Sequence, residues 1–478
     1  MEKSIFKNTI YSILLRVFNI VIPIIIGAYP LRILGPDLIG RISYSESIYN
    51  YFMIFACFGI YNYALREMSK VRSDKKKLNQ MFTNMFILGL ISHITVFTIY
   101  LFYVILNFND KPQFWVLIVY GINMIQDIFY IEWVNEALEN YDFIAMKSII
   151  IRIINIILLL TLVKSKSDFY IYVLLTTFTF IANNFISFIY IKKKVKFDFS
   201  NIQIKTHVKF LVFILLISNA NVLYTQLDKL MIGTYNGEAQ VAFYNLGQMI
   251  ITLIHPMLLS VVYVTVPRLS NIVESSEEEY INLLNRVSKY YFAFMFPSAI
   301  GLYVLAKEAV ILYVGSQYID AIPILKIFAM YLITIGFDSL FTNQIIYVRR
   351  QEKYLVKFLL SCGALNLILK FLLLKLNILT PITAVVTTLV CNSLLVILEY
   401  IFIRTKLKIR FNIFQIDKIK YFFISLIFIP ITILIKSLIS KILLVALLGV
   451  VANGVIYILI LFIIKDEILF SFIKKLRY

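Results

Sequence analysis

Ionisable side chains sit inside several long apolar runs of this sequence. At the centre of a membrane helix such a group costs about 2.5–3.5 kcal/mol on insertion scales, so each asks for a reason. Ser12, Arg16, Asn19 and Pro23 follow one another at i, i+4, i+7 and i+11, one face of a helix. Further on, Ser218, Asn221, Thr225 and Asp228 form a comparable stripe, in which Ser218 and Asn221 keep the spacing of Arg16 and Asn19. Ser148, Arg152 and Asn155 share another helical face, and so do Gly363, Asn366 and Lys370. Arginine presents a planar fork of donors and lysine a compact point charge, and both suit the oxygens of an anion such as phosphate. If the stripes converge, Arg16, Arg152 and Lys370 line a wet cavity for an anionic group, with Lys229 as a further candidate. Asn19, Asn155, Asn221 and Asn366 would add hydrogen bonds around it. The plainer alternative pairs each cation with a carboxylate or lets it reach an interface, which is the expectation for Lys229 and Lys326.

Carboxylates form a second set: Glu46, Asp127, Glu132, Asp228, Asp338 and Glu399. Asp127 or Asp228 could hold a coupling proton or sodium ion, although buried charges usually pair and the cavity arginines are natural partners. Glu136, Glu139 and Asp142 are expected to meet Arg66 or Lys70 as a cytoplasmic gate, unless they are simply a solvated loop. Cys57, Cys362 and Cys391 are scattered, as are His93, His207 and His255. Their spacing signals neither a metal site nor a disulfide framework. No cofactor is implied, only possible coupling to the membrane potential, H+ or Na+.

The elements that must position these groups are transmembrane helices. The chain has 478 residues, 60% of them hydrophobic and only 15% charged. Its mean hydropathy is +0.85. Soluble domains carry about 45–50% apolar and ~25% charged residues, so lipid must be the solvent for most of this chain. Apolar runs fall near 9–29, 42–63, 81–106, 113–134, 147–163 and 169–191, then 209–232, 240–266, 290–314, 321–347, 354–376 and 380–403. Two more, near 420–440 and 442–464, bring the expectation to about fourteen spans of an all-α membrane protein, with twelve or thirteen also open. The basic start MEKSIFKNTIYSILLR reads as the beginning of the first span rather than a removable signal peptide.

The net charge of +19 follows from cations that flank apolar segments, and nucleic acid is not needed to explain it. Loops after even-numbered spans carry Arg66, Lys70, Arg72 and Lys75 to Lys77, then Lys192 to Lys194, Arg349, Arg350, Arg404, Lys406, Lys408 and Arg410. The opposite loops hold only Arg32, Lys111, Lys164, Lys307 and similar scattered cations. This asymmetry predicts both ends on the cytoplasmic side. Prolines at 23, 256, 297 and 323 interrupt helical ladders and are candidate hinges.

An internal repeat is visible. The segment from Leu34 to Tyr44, Leu-Gly-Pro-Asp-Leu-Ile-Gly-Arg-Ile-Ser-Tyr, echoes Tyr235 to Asn245, and Glu139 to Phe143 with Asn155 lines up with Arg350 to Tyr354 with Asn366. Six spans separate the copies, an even number that leaves them in the same orientation. Residues 1–197 and 198–411 are thus expected as two six-helix lobes, with two extra helices and a basic tail over 412–478.

The Leu34 to Gly40 stretch, followed by Ser43-Tyr-Ser-Glu-Ser47 and by Phe58-Gly-Ile-Tyr-Asn-Tyr-Ala-Leu-Arg-Glu-Met68, resembles the Wzx-type polysaccharide flippases. These belong to the multidrug/oligosaccharidyl-lipid/polysaccharide exporter superfamily. Gln226-Leu-Asp-Lys-Leu-Met-Ile-Gly233 and the Arg268 to Arg286 connector are similar to the matching parts of a second lobe, so the likeness spans about residues 5–405. The resemblance implies an undecaprenyl-pyrophosphate-linked oligosaccharide carried from the inner to the outer leaflet of a bacterial cytoplasmic membrane, for capsule, O-antigen or exopolysaccharide. Arg16, Arg152 and Lys370 would then hold the pyrophosphate. Membrane lipids are the other partner, and a polymerase and a chain-length regulator are possible protein partners. A fourteen-span chain is also similar to the lipid II flippase branch. The rival within the superfamily is an ion-coupled exporter of drugs or organic ions, which should favour an acidic aromatic cavity. A membrane glycosyltransferase or polymerase would need catalytic groups on a sizeable outward loop, and none is expected to exceed about fifteen residues. The chain is therefore read as a transporter and not an enzyme.

Overall fold

Sequence runs this apolar have one way to satisfy every backbone N–H and C=O in lipid, which is to close them within helices. The computed structural model describes residues 21–476 together with Tyr11, Leu15 and Phe18; for 209, 212–225 and 472–476 it describes the backbone alone. Every regular element among the described residues is helical. Large apolar side chains lie open on the outside, among them Phe102, Leu106, Val264 and Ile433, as lipid-facing surfaces require. By length and composition ten of the described helices can cross a membrane, or eleven with one bent pair, against the fourteen expected.

The chain packs as two compact units that divide between Ala242 and Phe243. The first contains α1 (Ala28–Cys57), α2 (Ile60–Val71), α3 (Lys75–Phe108), α4 (Phe114–Gln126), α5 (Glu132–Ala137), α6 (Tyr141–Leu162), α7 (Phe169–Lys192) and α8 (Ile204–Asn236). α1 is broken at Gly35, whose φ of 78° and ψ of 174° are open to glycine, and Pro36 restarts the helix where its missing N–H costs nothing. The α1–α2 junction turns through two left-handed residues, Phe58 and Gly59. Asp74 caps α3, its carboxylate accepting from the Lys76 and Lys77 amides at 3.1 Å. α4 gives way to a 3₁₀ turn over Asp127–Phe129 before α5 resumes. Phe82, Met85, Trp133, Val195 and Leu211 are buried together, sealing α2, α3 and α5 against the start of α8.

The first unit runs to residue 242 and so includes α8, which packs along α1. Small residues permit the approach: a Cβ on Gly233 would lie 2.1 Å from the Tyr44 ring, and one on Gly40 would lie 1.8 Å from the Glu238 carbonyl oxygen. Tyr44 and Thr234 share a hydrogen bond of 2.9 Å, and Arg41 pairs with Glu238 at 3.1 Å. Gln113 donates to the same carboxylate at 2.6 Å.

α9 (Glu238–Ile272) leads into the second unit, which comprises α10 (Glu277–Val304), α11 (Ala306–Val314), α12 (Ala321–Phe341), α13 (Glu352–Lys375), α14 (Pro381–Thr405), α15 (Ile416–Leu426), α16 (Phe428–Leu438), α17 (Ile442–Ile463) and α18 (Glu467–Leu476). α10 and α11 are bent by 74°. A π-helical turn, Thr342–Ile346, extends α12. Residues 412–478, expected as an appendage, are part of this unit: α15 and α16 pack on α10, and α17 on α11. Lys436 ties them further, pairing with buried Glu308 at 2.9 Å.

Candidate functional site

Within the first unit, polar groups on α1, α6 and α7 come within electrostatic reach of one another. Arg152 on α6 is half-buried and lies within electrostatic reach of Tyr172 on α7, which also senses Glu46 on α1. Tyr120 and Tyr49 feel the same carboxylate. Lys229 and Asp228 near the end of α8 are buried, and Lys229 is within electrostatic reach of both Glu46 and Asp228. Asn155, one turn beyond Arg152, donates to Thr179 at 2.7 Å and so faces α7. Arg16 and Asn19 lie outside the described residues, and Asn221 is described only as part of the α8 backbone.

The second cationic stripe behaves differently. Lys370 is fully buried, and its ammonium donates to Thr388 on α14 at 3.2 Å. Asn366, one turn earlier, is buried as well. A helical stripe predicts shared direction, and on this face both Asn366 and Lys370 are buried, with Lys370 reaching α14. Nearby, the Thr342 hydroxyl lies 3.2 Å from Asp338 Oδ1 and 3.1 Å from Glu399 Oε1, bridging two carboxylates at the π-helical turn. His255 meets Ser339 at 3.0 Å.

Near the start of α6, Lys147 forms a buried pair with Glu132 of α5 at 3.1 Å. The lysine also donates to the Ser187 hydroxyl at 2.6 Å and the Asn183 carbonyl at 3.2 Å, while Ser187 donates to Glu132 at 2.5 Å. Glu132 stands out in the sequence as a carboxylate near an apolar run, whereas its partner Lys147 lies 15 residues further along with no spacing signal between the two. The gate expected between Glu139 and Arg66 is rearranged: Glu139 pairs with Arg72, while Arg66 donates to Glu67 at 2.9 Å. Asp127 faces His93 at 3.3 Å and the Cys57 thiol at 3.8 Å, beside a cavity of about 70 Å³. These three residues are far apart in sequence and went unconnected there.

The repeat survives in the backbone. Glu139 and Arg350 both adopt φ of 55°. Around each, the same amides close on the same carbonyls: Glu139 N to Glu136 O and Asn140 N to Asn135 O, against Arg350 N to Tyr347 O and Gln351 N to Ile346 O, all at 2.8–2.9 Å and each 211 residues from its counterpart. Gly35 and Gly237 also match, with φ/ψ of 78°/174° and 96°/167°.

Residues 5–273 match the family described as polysaccharide biosynthesis protein. A protein of Escherichia coli (strain K12), named as a candidate O-antigen transporter, is 23% identical over 411 residues, covering 84% of this chain and 97% of that one. Among solved structures, the lipid II flippase MurJ in an inward closed conformation superimposes with a TM-score of 0.73 at 16% identity, over 97% of this chain and all of the other. An outward-facing multidrug resistance MATE family transporter aligns with a TM-score of 0.49 at 13% identity, over 84% and 94%. By name these relatives are transporters and flippases, not enzymes. With more than half its length inside the family match, the chain belongs to the polysaccharide biosynthesis protein family, and it has the fold of the solved flippase.

Proposed function

We propose that this protein carries undecaprenyl-pyrophosphate-linked oligosaccharide units from the inner to the outer leaflet of a bacterial cytoplasmic membrane, both of its termini being cytoplasmic. The observation that carries the reading is Arg152, a half-buried guanidinium on a membrane helix, within electrostatic reach of Tyr172, which in turn feels Glu46. An intramembrane cation within reach of a tyrosine hydroxyl suits a phosphate oxygen and a sugar better than a hydrophobic cation. Arg16 is the second phosphate ligand in this reading. Lys229 supports the Glu46 neighbourhood, and Lys370 stays a hydrogen-bonded member of the α13–α14 packing. The name of the Escherichia coli relative and the family description support the polysaccharide assignment.

A headgroup with two negative charges leaving a negative-inside cell gains roughly 5 kcal/mol at 100 mV, so the membrane potential suffices as the driving force. On the outer leaflet the product would pass to a polymerase and its chain-length regulator.

Arg152→Gln and Arg16→Gln, in a strain lacking the chromosomal copy, test the assignment. Each lost charge-assisted hydrogen bond is worth about 1.5–3 kcal/mol, so surface polysaccharide should fall by roughly 10- to 100-fold, with lipid-linked oligosaccharide building up in the inner leaflet. Full export by well-expressed variants would overturn the proposal. Accumulation of lipid II instead would move the chain to the peptidoglycan branch.

A further inference from the structure

Two broken helices and one intact helix converge on the cavity beside Asp127. α1 ends at Cys57, just before the left-handed pair Phe58 and Gly59, and α4 ends where Asp127 begins the 3₁₀ turn. α3 runs past both and presents His93. Cys57 Sγ, His93 Nε2 and one Asp127 oxygen all lie within 4.8 Å of one another.

The imidazole is oriented for ligation. His93 Nδ1 lies 2.7 Å from the Gly89 carbonyl oxygen, which can only accept, so Nδ1 carries the hydrogen. Nε2 is thereby turned toward Asp127 and Cys57. A ligating histidine normally donates its other ring N–H to such a carbonyl.

The spacing fits one small ion. Zinc takes nitrogen at about 2.0–2.1 Å, carboxylate oxygen at about 2.0–2.2 Å and thiolate sulfur at about 2.3 Å. Tetrahedral angles then set N···O near ~3.4 Å and S···O near ~3.6 Å. The corresponding separations here are 3.3 Å and 3.8 Å. A fourth ligand would come from the cavity, whose roughly 70 Å³ exceeds the share of one water, about 30 Å³. Sulfur and imidazole nitrogen beside a single carboxylate disfavour Mg²⁺ and Ca²⁺, which want oxygen ligands.

We propose that Cys57, His93 and Asp127 form a three-ligand site for a late first-row divalent metal ion of the zinc class, bridging the two helix breaks. This goes beyond the flippase reading and stands without it. Binding forms a metal–sulfur bond and releases the thiol proton to solvent. The competing account is an ordinary His93–Asp127 ion pair with the thiol hydrogen-bonded to it, and it predicts no metal affinity.

The test uses the full chain, purified without an affinity tag, in detergent or nanodiscs, stripped with chelator and titrated with Co²⁺. One equivalent should give a thiolate-to-cobalt charge-transfer band with visible bands of four-coordinate intensity, both removed by Zn²⁺. Cys57→Ser should abolish the charge-transfer band, and His93→Gln and Asp127→Asn should weaken binding at least about tenfold. Cys362→Ser and Cys391→Ser should leave the spectrum intact. Alkylation of Cys57 in the Cys362→Ser/Cys391→Ser double variant gives a second readout that leaves all three ligands in place, and Zn²⁺ should slow it. Absence of the wild-type band, its survival in Cys57→Ser, or alkylation indifferent to Zn²⁺ would each overturn the site.

Discussion

Lys147 offers the sharpest energetic test. It and Glu132 are each 8% exposed, and the ammonium reaches both Glu132 oxygens, at 3.1 and 3.3 Å, as well as Ser187 and Asn183. Lys147→Met keeps an unbranched apolar stem but strands the Glu132 carboxylate with the Ser187 hydroxyl. Removing one member of a buried pair costs about 3–5 kcal/mol, chiefly because the other charge is left uncompensated. Replacing both, as Glu132→Gln with Lys147→Met, takes both charges out and should return stability to within ~1–2 kcal/mol of the parent. Trp133, buried next to Glu132, is one of only two tryptophans, so a Trp115→Phe background makes it the local probe. Reversible unfolding in mixed micelles, followed by Trp133 emission, gives the four corners of a double-mutant cycle. A single-variant loss under about 1 kcal/mol, or a double variant as damaged as the two singles combined, would refute the reasoning.

Gly40→Val should lower expression and melting temperature sharply, because its Cβ would meet the Glu238 carbonyl at 1.8 Å, whereas Gly301→Ala, with nothing within 4 Å of the new carbon, serves as the mild control. His207, in the first turn of α8, shares a 2.7 Å hydrogen bond with Tyr63. Burial pulls its pKa below the ordinary 6.5, against a smaller upward pull from Glu67. The unfolded chain therefore binds this proton more readily, so the His207 contribution is intact above about pH 6.5 and is lost as pH falls toward the folded value. Thermal stability of the parent should drop over that window, and His207→Gln should show a shallower drop; equal slopes would count against it.

Much of the architecture was legible because apolar length is a strong signal. The fourteen runs announced an all-helical membrane chain, and a faint repeat between Glu139 and Arg350 proved to be a shared turn. Facing was not legible. Periodicity correctly put Asn366 and Lys370 on one side of α13 but could not say that this side meets Thr388. The pairing of α1 with α8 was hidden for a related reason: it depends on what is missing at Gly40 and Gly233, and no hydropathy pattern records a missing side chain. The Cys57, His93 and Asp127 cluster draws one residue from each of three helices, so no local spacing rule could assemble it.

Glu139 is an acid and Arg350 a base, yet their backbones turn the same corner with the same closures. The corner is thus closed by peptide groups, and the charge of the side chain it carries does not enter. Any hunt for further halves of this kind among distant relatives should compare torsions, since an alphabet of residues has already forgotten the kinship that the dihedral angles keep.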